Sequence, residues 1–443
     1  ICKADLLLKG EGEAADNIVG GPEHSTLSND AFPSREFDFM LSNPPYGKSW
    51  KTDLQRMGGK KDMRDPRFLI EHADDPEYSL VTRVSDGQML FLANKLSKMK
   101  QETRLGSRIA EVHNGSSLFT GSAGQGESNI RRWIIENDWL EAVVALPLNM
   151  FYNTGIATYV WVITNRKPEH RRGKVQLIDA TKWFQPLRKN LGKKNCELGP
   201  EDIERICKTF LDFEETEESK ILDNEEFGYW SVTVERPLRL AVNLSEERRD
   251  EFFDACIEAG EVGLGEVVHA VGDRMGPGPH LDFNRVLEVA KEEMPRHGVR
   301  MTAKRKRLLH MSLAERDETA QPVVKKVHRR VIAADPIRGL YEVGDGSLRQ
   351  VVEHEADSVL RDTEQITLRE KGGIDGFLQR EVLPYAEDAW YVPKSVKVGY
   401  EIGFNRYFYK PAPMRLLEDI RADILAVEKE TEGLLLEIVG QPT

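Results

Sequence analysis

Cysteine is scarce in this 443-residue sequence: Cys2, Cys196, Cys207 and Cys256 are the only four, and no two form a Cys-x-x-Cys pair. That excludes a disulfide framework and a structural zinc cage, and predicts reduced thiols. No apolar run reaches membrane-spanning length and no charged-then-apolar leader opens the chain, so a cytoplasmic protein without a membrane partner is expected. No Pro-Asp pair occurs, which removes the usual opening of a common magnesium-nuclease motif, and no Pro-Cys pair, which removes cytosine-ring methylation. A phosphate loop is missing as well. Gly47-Lys48-Ser49 looks like the end of one, yet Ser42 stands five positions earlier where glycine is needed. Gly121-Ser-Ala-Gly124-Gln-Gly126 lacks the third glycine of a dinucleotide fingerprint at its spacing and reads as a mobile loop. Glu71-His72-Ala73-Asp74-Asp75 has no converging ligand set and reads as a solvated loop, so no metal is expected. With 40% hydrophobic and 31% charged residues, the chain is long enough for about two or three domains with real cores.

The most informative residues present are Asn43-Pro44-Pro45-Tyr46, delivered by the largely apolar run Phe37 to Leu41. They resemble the catalytic tetrapeptide of amino-group methyltransferases. The lone pair of an adenine amine is delocalised into the ring, so the nitrogen is a poor nucleophile. If the Asn43 side-chain oxygen and the Pro44 carbonyl accept from the two amino hydrogens, the nitrogen shifts toward tetrahedral character and its lone pair turns toward a methyl donor. Two successive prolines restrict the backbone and lack N–H groups, which holds the carbonyl between them on a rigid turn. Tyr46 offers a flat face for a base flipped out of a duplex, a contact worth roughly 1–3 kcal/mol. The same four residues also read as a surface Pro-Pro turn.

Residues 1 to about 185 alternate strand and helix signals, as a mostly parallel sheet with covering helices would. Strands are expected at Phe37–Leu41, Arg108–Val112, Ala142–Leu146 and Thr158–Thr164, with Val175–Ile178 extending the edge. Helices are expected at Gln88–Lys100 and Asn129–Asn137. The stretch from about Leu187 to Arg285 reads as helices plus the short strand Tyr229–Val234 and suggests no chemistry. Before Asn43 there is only the apolar stretch Ala4 to Leu8 and a Gly/Asn/Ser-rich connection. The glycine-rich donor-binding turn of a methyltransferase sheet does not precede the motif, so an N-terminal truncation is expected.

Several further segments carry a broader likeness: Asn114-Gly-Ser-Ser-Leu-Phe-Thr-Gly121, Gly126-Glu-Ser-Asn-Ile-Arg-Arg132, Leu146-Pro-Leu-Asn-Met-Phe-Tyr-Asn-Thr-Gly-Ile156 and Ile178-Asp-Ala180. Leu313 to Thr319, Leu360 to Glu364, Glu381 to Pro384, Val398 to Ile402 and Arg406 to Tyr409 extend it into the tail. With these the chain closely resembles the modification subunit of type I restriction-modification systems, an adenine-specific DNA methyltransferase. The resemblance implies a Rossmann-like class I methyltransferase sheet lacking its first strands, followed by a mostly helical C-terminal region. It implies S-adenosylmethionine as methyl donor. Asn43, Pro44, Pro45 and Tyr46 would form the catalytic set, with Asn43 also beside the donor and Phe151 as a second ring against the target base. Tyr152 is an alternative to Phe151, and Phe151 also reads as a plug of the hairpin core. Asp5 would accept from the adenine amino group of the donor; it also reads as a turn cap. The implied partners are double-stranded DNA, a specificity subunit, a second modification subunit and a restriction subunit. The implied divisions are a partial catalytic core at 1–185, a helical or mixed extension at 186–285, a basic linker or DNA-proximal segment at 286–335 and a partner-binding region at 336–443. Two other readings stand beside this one: a methyltransferase acting on a protein glutamine or an RNA guanine, and a non-catalytic remnant.

Charge is uneven. Lys291 to Arg330 holds 12 Lys/Arg against 5 Asp/Glu, a net of +7 in a chain of net −12. Lys304-Arg305-Lys306-Arg307 at its centre are candidates for DNA phosphates, or equally a solvated helix face or mobile loop. Near the end, Leu417, Ile420, Ile424, Val427, Thr431, Leu434 and Ile438 form a heptad-like stripe after Pro411 and Pro413, suited to docking on a partner subunit or on its own domain.

Overall fold

Short apolar runs alternating with amphipathic ones build the front half of the protein around one sheet. The computed structural model describes residues 2–21, 23–330, 332–344, 349–410 and 416–439, the last eight of these by backbone alone. Two short exposed helices, α1 (Cys2–Leu8) and α2 (Gly12–Asp16), precede β1 (Phe39–Ser42). Then come α3 (Lys51–Arg56), α4 (Gly59–Asp62), the hairpin β2 (Leu69–His72) and β3 (Asp75–Ser79), and α5 (Gln88–Leu96). β4 (Arg108–Asn114), α6 (Ser116–Phe119), α7 (Gly126–Glu136), β5 (Leu140–Ala145) and β6 (Thr158–Thr164) complete the centre. β7 (Lys174–Asp179), the hairpin β8 (Gln185–Leu191) and β9 (Lys194–Glu197), α8 (Pro200–Asp212) and β10 (Ser219–Asp223) follow.

The sheet order is β1-β4-β6-β5-β7-β10. β1 runs parallel to β4 and β5 parallel to β7, while β6 is antiparallel to both its neighbours and β10 is antiparallel to β7. The carboxyl ends of β1, β4, β5 and β7 therefore share one edge. The sheet is more mixed than the mostly parallel one expected, and its outer strand is β10 rather than β7. β10 lies in the stretch read as helices plus one strand, because Ser219–Asp223 is too short and too mixed to announce itself by periodicity.

The residues that alternate along β4, β5 and β6 explain the packing. Ile109, Val143, Trp161 and Ile163 face α5 and α7, and nearly all of α5 is buried there. On the opposite face, Ile206 and Phe210 of α8 pack against Val144 and Leu146. The β1 end of that face carries exposed Phe39 and Leu41. The glycine segment expected to be mobile has an exposed middle, Ser122, Gly124 and Gln125, and is anchored at its start. Arg131, fully buried in α7, donates to the carbonyls of Ser117, Thr120 and Tyr400.

The second half begins with β11 (Gly228–Glu235) and β12 (Leu240–Val242). Four helices follow, α9 (Glu246–Glu258), α10 (Val262–Met275), α11 (Phe283–Glu293) and α12 (Ala303–Leu313). They close around Phe252, Val267, Phe283 and Leu309. This core runs from Leu238 to Val323, so the expected boundary at 285/286 cuts through it. The segment expected to be a basic linker is α11 and α12 of a packed unit; its apolar positions at helical spacing outweigh its charge. β13 (Ala314–Arg316) pairs with β12, and β14 (Val324–Val327), β15 (Tyr341–Val343) and β16 (Gln350–His354) form a small sheet. β17 (Asp362–Thr367), α13 (Gly373–Phe377), β18 (Trp390–Tyr391) and β19 (Lys397–Tyr400) come next, and the three strands all pair with β11. α14 (Phe404–Phe408) then returns to the front half, where Tyr400, Ile402 and Phe404 join the first core. α15 (Leu417–Val439) ends the described chain. Every described side chain from 416 to 431 is exposed, including Leu417, Ile420, Ile424 and Val427 of the stripe. Pro411 and Pro413 lie outside the described residues, as do the side chains of Leu434 and Ile438.

Candidate active site at the sheet edge

β1 ends at Ser42, opposite Glu111 of β4, and Asn43 is the first residue beyond the ladder. Asn43 is exposed, Pro44 buried, Pro45 exposed and Tyr46 half-buried. Pro44 thus pins the turn on the core side while Asn43 stays exposed to a ligand. Gly47 follows at φ +67°, a left-handed value that costs a side-chain-bearing residue about 1 kcal/mol or more. Its N–H donates to Asp86 Oδ1 at 3.1 Å.

A buried polar network holds this corner. Asp86 also accepts from the Gln88 backbone N–H at 3.2 Å and from Gln88 Nε2 at 2.7 Å. Gln88 Nε2 reaches Asn114 Oδ1 at 2.7 Å and Ser116 Oγ at 3.0 Å, and Gln88 Oε1 accepts from the Asn114 N–H. Asp86 and Gln88 are almost fully buried. Trp50 closes the far side: its backbone N–H donates to Val84 and its indole N–H to the Arg83 carbonyl. The polar layer ties the corner after β1 to the end of β4, and every link is a directional bond. Sequence reading missed Asp86 and Gln88. The available signal was a polar Asp-Gly-Gln step placed directly before an otherwise apolar helix.

The loop Leu146 to Ala157 leaves the same edge after β5. Phe151 is half-buried and packs with Val144, Leu146 and Trp183. Its half-covered ring suits either a plug of the hairpin core or a face left for a base, and Tyr152 beside it is 68% exposed. The β8–β9 hairpin rests on this loop, with the Asn195 N–H donating to the Asn149 carbonyl and Cys196 Sγ 3.2 Å from the Leu148 carbonyl. Beneath the corner, β4 buries Glu111 and His113 completely. Burial pushes the Glu111 carboxyl up to about 7 against the opposing pull of Lys95 at 2.9 Å. Burial, with Lys95 adding to it, holds the His113 imidazole down at about 3.

Other expected site residues lie apart from the corner. Asp5 sits on α1, a helix rather than a strand end, and its carboxylate pairs with Lys9 at 2.8 Å with 58% of the side chain exposed. The described residues do not assemble a donor pocket around it. Lys304 to Arg307 lie on α12, where Lys304 and Arg305 pair with Glu261 and Lys306 with Glu355; Arg307 is exposed. Ala73 and Asp74 of the acidic group form the tip of the β2–β3 hairpin at positive φ, and His72 bonds Glu136.

The sequence profile of the N-6 DNA Methylase family matches residues 1–236. The MjaIX methylase subunit of a type I restriction enzyme from Methanocaldococcus jannaschii is 30% identical over 235 residues, 53% of this chain and 37% of that protein. The MpnII methylase subunit of a type I restriction enzyme from Mycoplasma pneumoniae is 27% identical over 221 residues, 47% of this chain and 35% of that protein. A crystal structure of a type I restriction-modification methyltransferase subunit from Streptococcus thermophilus matches at 27% identity and a TM-score of 0.35, covering 46% of this chain and 38% of that one. The chain spans little more than a third of the length of the curated relatives it matches.

Proposed function

The chain belongs to the N-6 DNA methylase family, and from that premise we propose that it is a DNA adenine N6-methyltransferase subunit of a type I restriction-modification system. The observation that carries the reading is the exposed Asn43 amide on a buried Pro44 support at the carboxyl end of β1. In this reading a flipped adenine stacks on Tyr46. Its two amino hydrogens are taken by Asn43 Oδ1 and the Pro44 carbonyl, so the nitrogen lone pair is freed without a strong base. Phe151 shapes the loop that faces the base, and Tyr152 supplies the exposed ring of that loop. The family implies S-adenosylmethionine as methyl donor. Asp5, engaged with Lys9, does not fit a donor site as it stands, so no step is assigned to it.

The exposed stripe on α15 suits assembly with a specificity subunit, alongside a second modification subunit and a restriction subunit. Deleting residues 411–443 is expected to abolish co-purification with the specificity subunit; unchanged co-purification ends that part of the reading. The function itself is tested with methyl-labelled S-adenosylmethionine offered together with duplex DNA, RNA and a glutamine-bearing release-factor peptide. Label on adenine N6 of DNA supports it. Label confined to RNA or peptide, or none on any substrate, overturns it.

A further inference from the structure

An acidic chain of net −12 has to offer a polyanion cations that its own carboxylates have not already neutralised. The basic island on α12 is the densest in the sequence, yet three of its four cations are held by Glu261 and Glu355. The cations beside the candidate active site are different. Arg188, Lys189, Lys193 and Lys194 project from the β8–β9 ribbon, and none has a carboxylate partner among the described residues. Lys51, Arg56, Lys60 and Lys61, on α3 and α4 just past the Asn43 corner, are exposed and equally unpaired.

Their placement follows from the topology. The ribbon belongs to no larger sheet, and its turn is Gly192-Lys193, with Gly192 at φ +61°. It is docked on the Leu148–Asn153 loop through Asn195 and Cys196. That loop leaves β5 at the edge where β1 delivers Asn43 and packs into the core on the α8 face, whereas Leu54 of α3 packs into the core on the α5–α7 face, so the two sets of cations belong to opposite faces of the sheet at that edge. A free two-stranded ribbon is also of a width that a DNA groove accepts.

We propose that duplex DNA is held across the carboxyl edge of the sheet between these two cationic surfaces. The β8–β9 ribbon takes phosphates on one side of the target base, and α3 with α4 takes them on the other. This rests on the DNA-methyltransferase reading and adds where the duplex lies. A rival explanation for the ribbon's lysines is protection of its free strand edges against pairing with another chain; that role leaves the salt dependence of DNA binding unchanged.

The test measures duplex affinity of the full chain against salt concentration. One variant carries Arg188→Gln, Lys189→Gln, Lys193→Gln and Lys194→Gln; a second carries Lys51→Gln, Arg56→Gln, Lys60→Gln and Lys61→Gln; a third, on the island, carries Lys304→Gln and Arg307→Gln. Each lost phosphate contact lowers the log–log salt slope by about 0.9, so the first two variants are expected to lose roughly 2 to 4 from its magnitude and on the order of a hundredfold in affinity at moderate salt. The island variant is expected to lose less than about 1. Among the described residues the first two variants remove no intramolecular ion pair, so their unfolding midpoints should match the parent and exclude misfolding. A ribbon variant with the parental slope, or an island variant that loses more than it, overturns the proposed path. If the parent chain methylates DNA while that happens, only the path fails; if the parent binds no DNA, the functional reading fails with it.

Discussion

Two of the loops at the carboxyl edge of the sheet carry the candidate site residues, and their side chains are fixed by different means. The Pro-Pro corner after β1 is tied down by buried polar bonds through Asp86 and Gln88, and its working amide points outward. The loop after β5 is seated by Met150 and Phe151 against the apolar cluster of Val144, Leu146 and Trp183, and its hydrogen bonds from the β8–β9 ribbon go to the Asn149 and Leu148 carbonyls rather than to side chains. Apolar packing fixes where a segment lies but is non-directional, whereas hydrogen bonds fix how it points. A group that has to aim an acceptor at an amine needs the second kind of support, and the turn that follows Asn43 has it at the Gly47 N–H. The ring of Phe151 is half-buried against that cluster, and Tyr152 beside it is the more exposed aromatic of the loop.

The sharpest break of this comparison is Asn43→Ala. Removing an acceptor that works mainly as the amine rehybridises is expected to lower kcat on the order of a thousandfold while donor affinity stays within a few fold. The side chain is exposed, so the unfolding midpoint should not move. Single-turnover methylation and a thermal melt check the two halves; retained turnover would refute the assignment of Asn43.

Gln88→Ala attacks the support instead. It takes hydrogen-bond partners from Asp86 Oδ2 and from the Asn114 N–H, while Asn114 Oδ1 and Ser116 Oγ keep each other, and buried polar groups left unpaired cost about 1–3 kcal/mol each. A loss of roughly 3 kcal/mol in urea unfolding is expected, with kcat about tenfold lower in the protein that remains folded. A variant as stable and active as the parent would show that the corner holds itself.

On the other loop the two aromatic rings should behave differently. Phe151→Ala is expected to cost about 2 kcal/mol of stability, less than a fully buried phenylalanine because the ring is only half-covered. Tyr152→Ala should leave stability alone and weaken the grip on a flipped base by roughly 1 kcal/mol, read as reduced fluorescence gain from a 2-aminopurine duplex. Equal effects on both readouts would erase the distinction between the loops.

Much of this was legible in the sequence. Thr158–Thr164 is a strand to the residue because a run of β-branched and aromatic residues ends at turn signals on both sides. The Pro-Pro corner announces itself because its geometry is encoded in neighbouring residues. What supports the corner is not local: Asp86 and Gln88 lie about forty positions away, and only the β1–β4 pairing brings them together. Charge misled for a related reason. A sum over Lys291 to Arg330 counts cations without their partners, and Glu261 and Glu355 lie outside that window. Asp5 was placed by resemblance, and local helix formation puts it on α1 beside Lys9.

The layer under the corner extends the comparison to pH, because Glu111 and His113 titrate there in opposite senses. The folded pKa of Glu111, about 7, lies above its ordinary 4.5, so its contribution to stability is complete below pH 4.5 and is lost as pH rises through 7. That of His113, about 3, lies below its ordinary 6.5, so its contribution is present above pH 6.5 and is lost as pH falls through 3. Each slope is about 1.4 kcal/mol per pH unit where it acts alone, and between pH 4.5 and 6.5 they cancel. Glu111→Gln removes one limb, so the stability of the variant should climb with pH across that window relative to the parent. Urea midpoints taken at several pH values in both proteins give the difference, because titrating groups away from Glu111 and its neighbours Lys95 and His113 contribute alike to each. Parallel profiles would mean that Glu111 keeps an ordinary carboxylate pKa, and that the layer beneath the corner is wetter than its packing indicates.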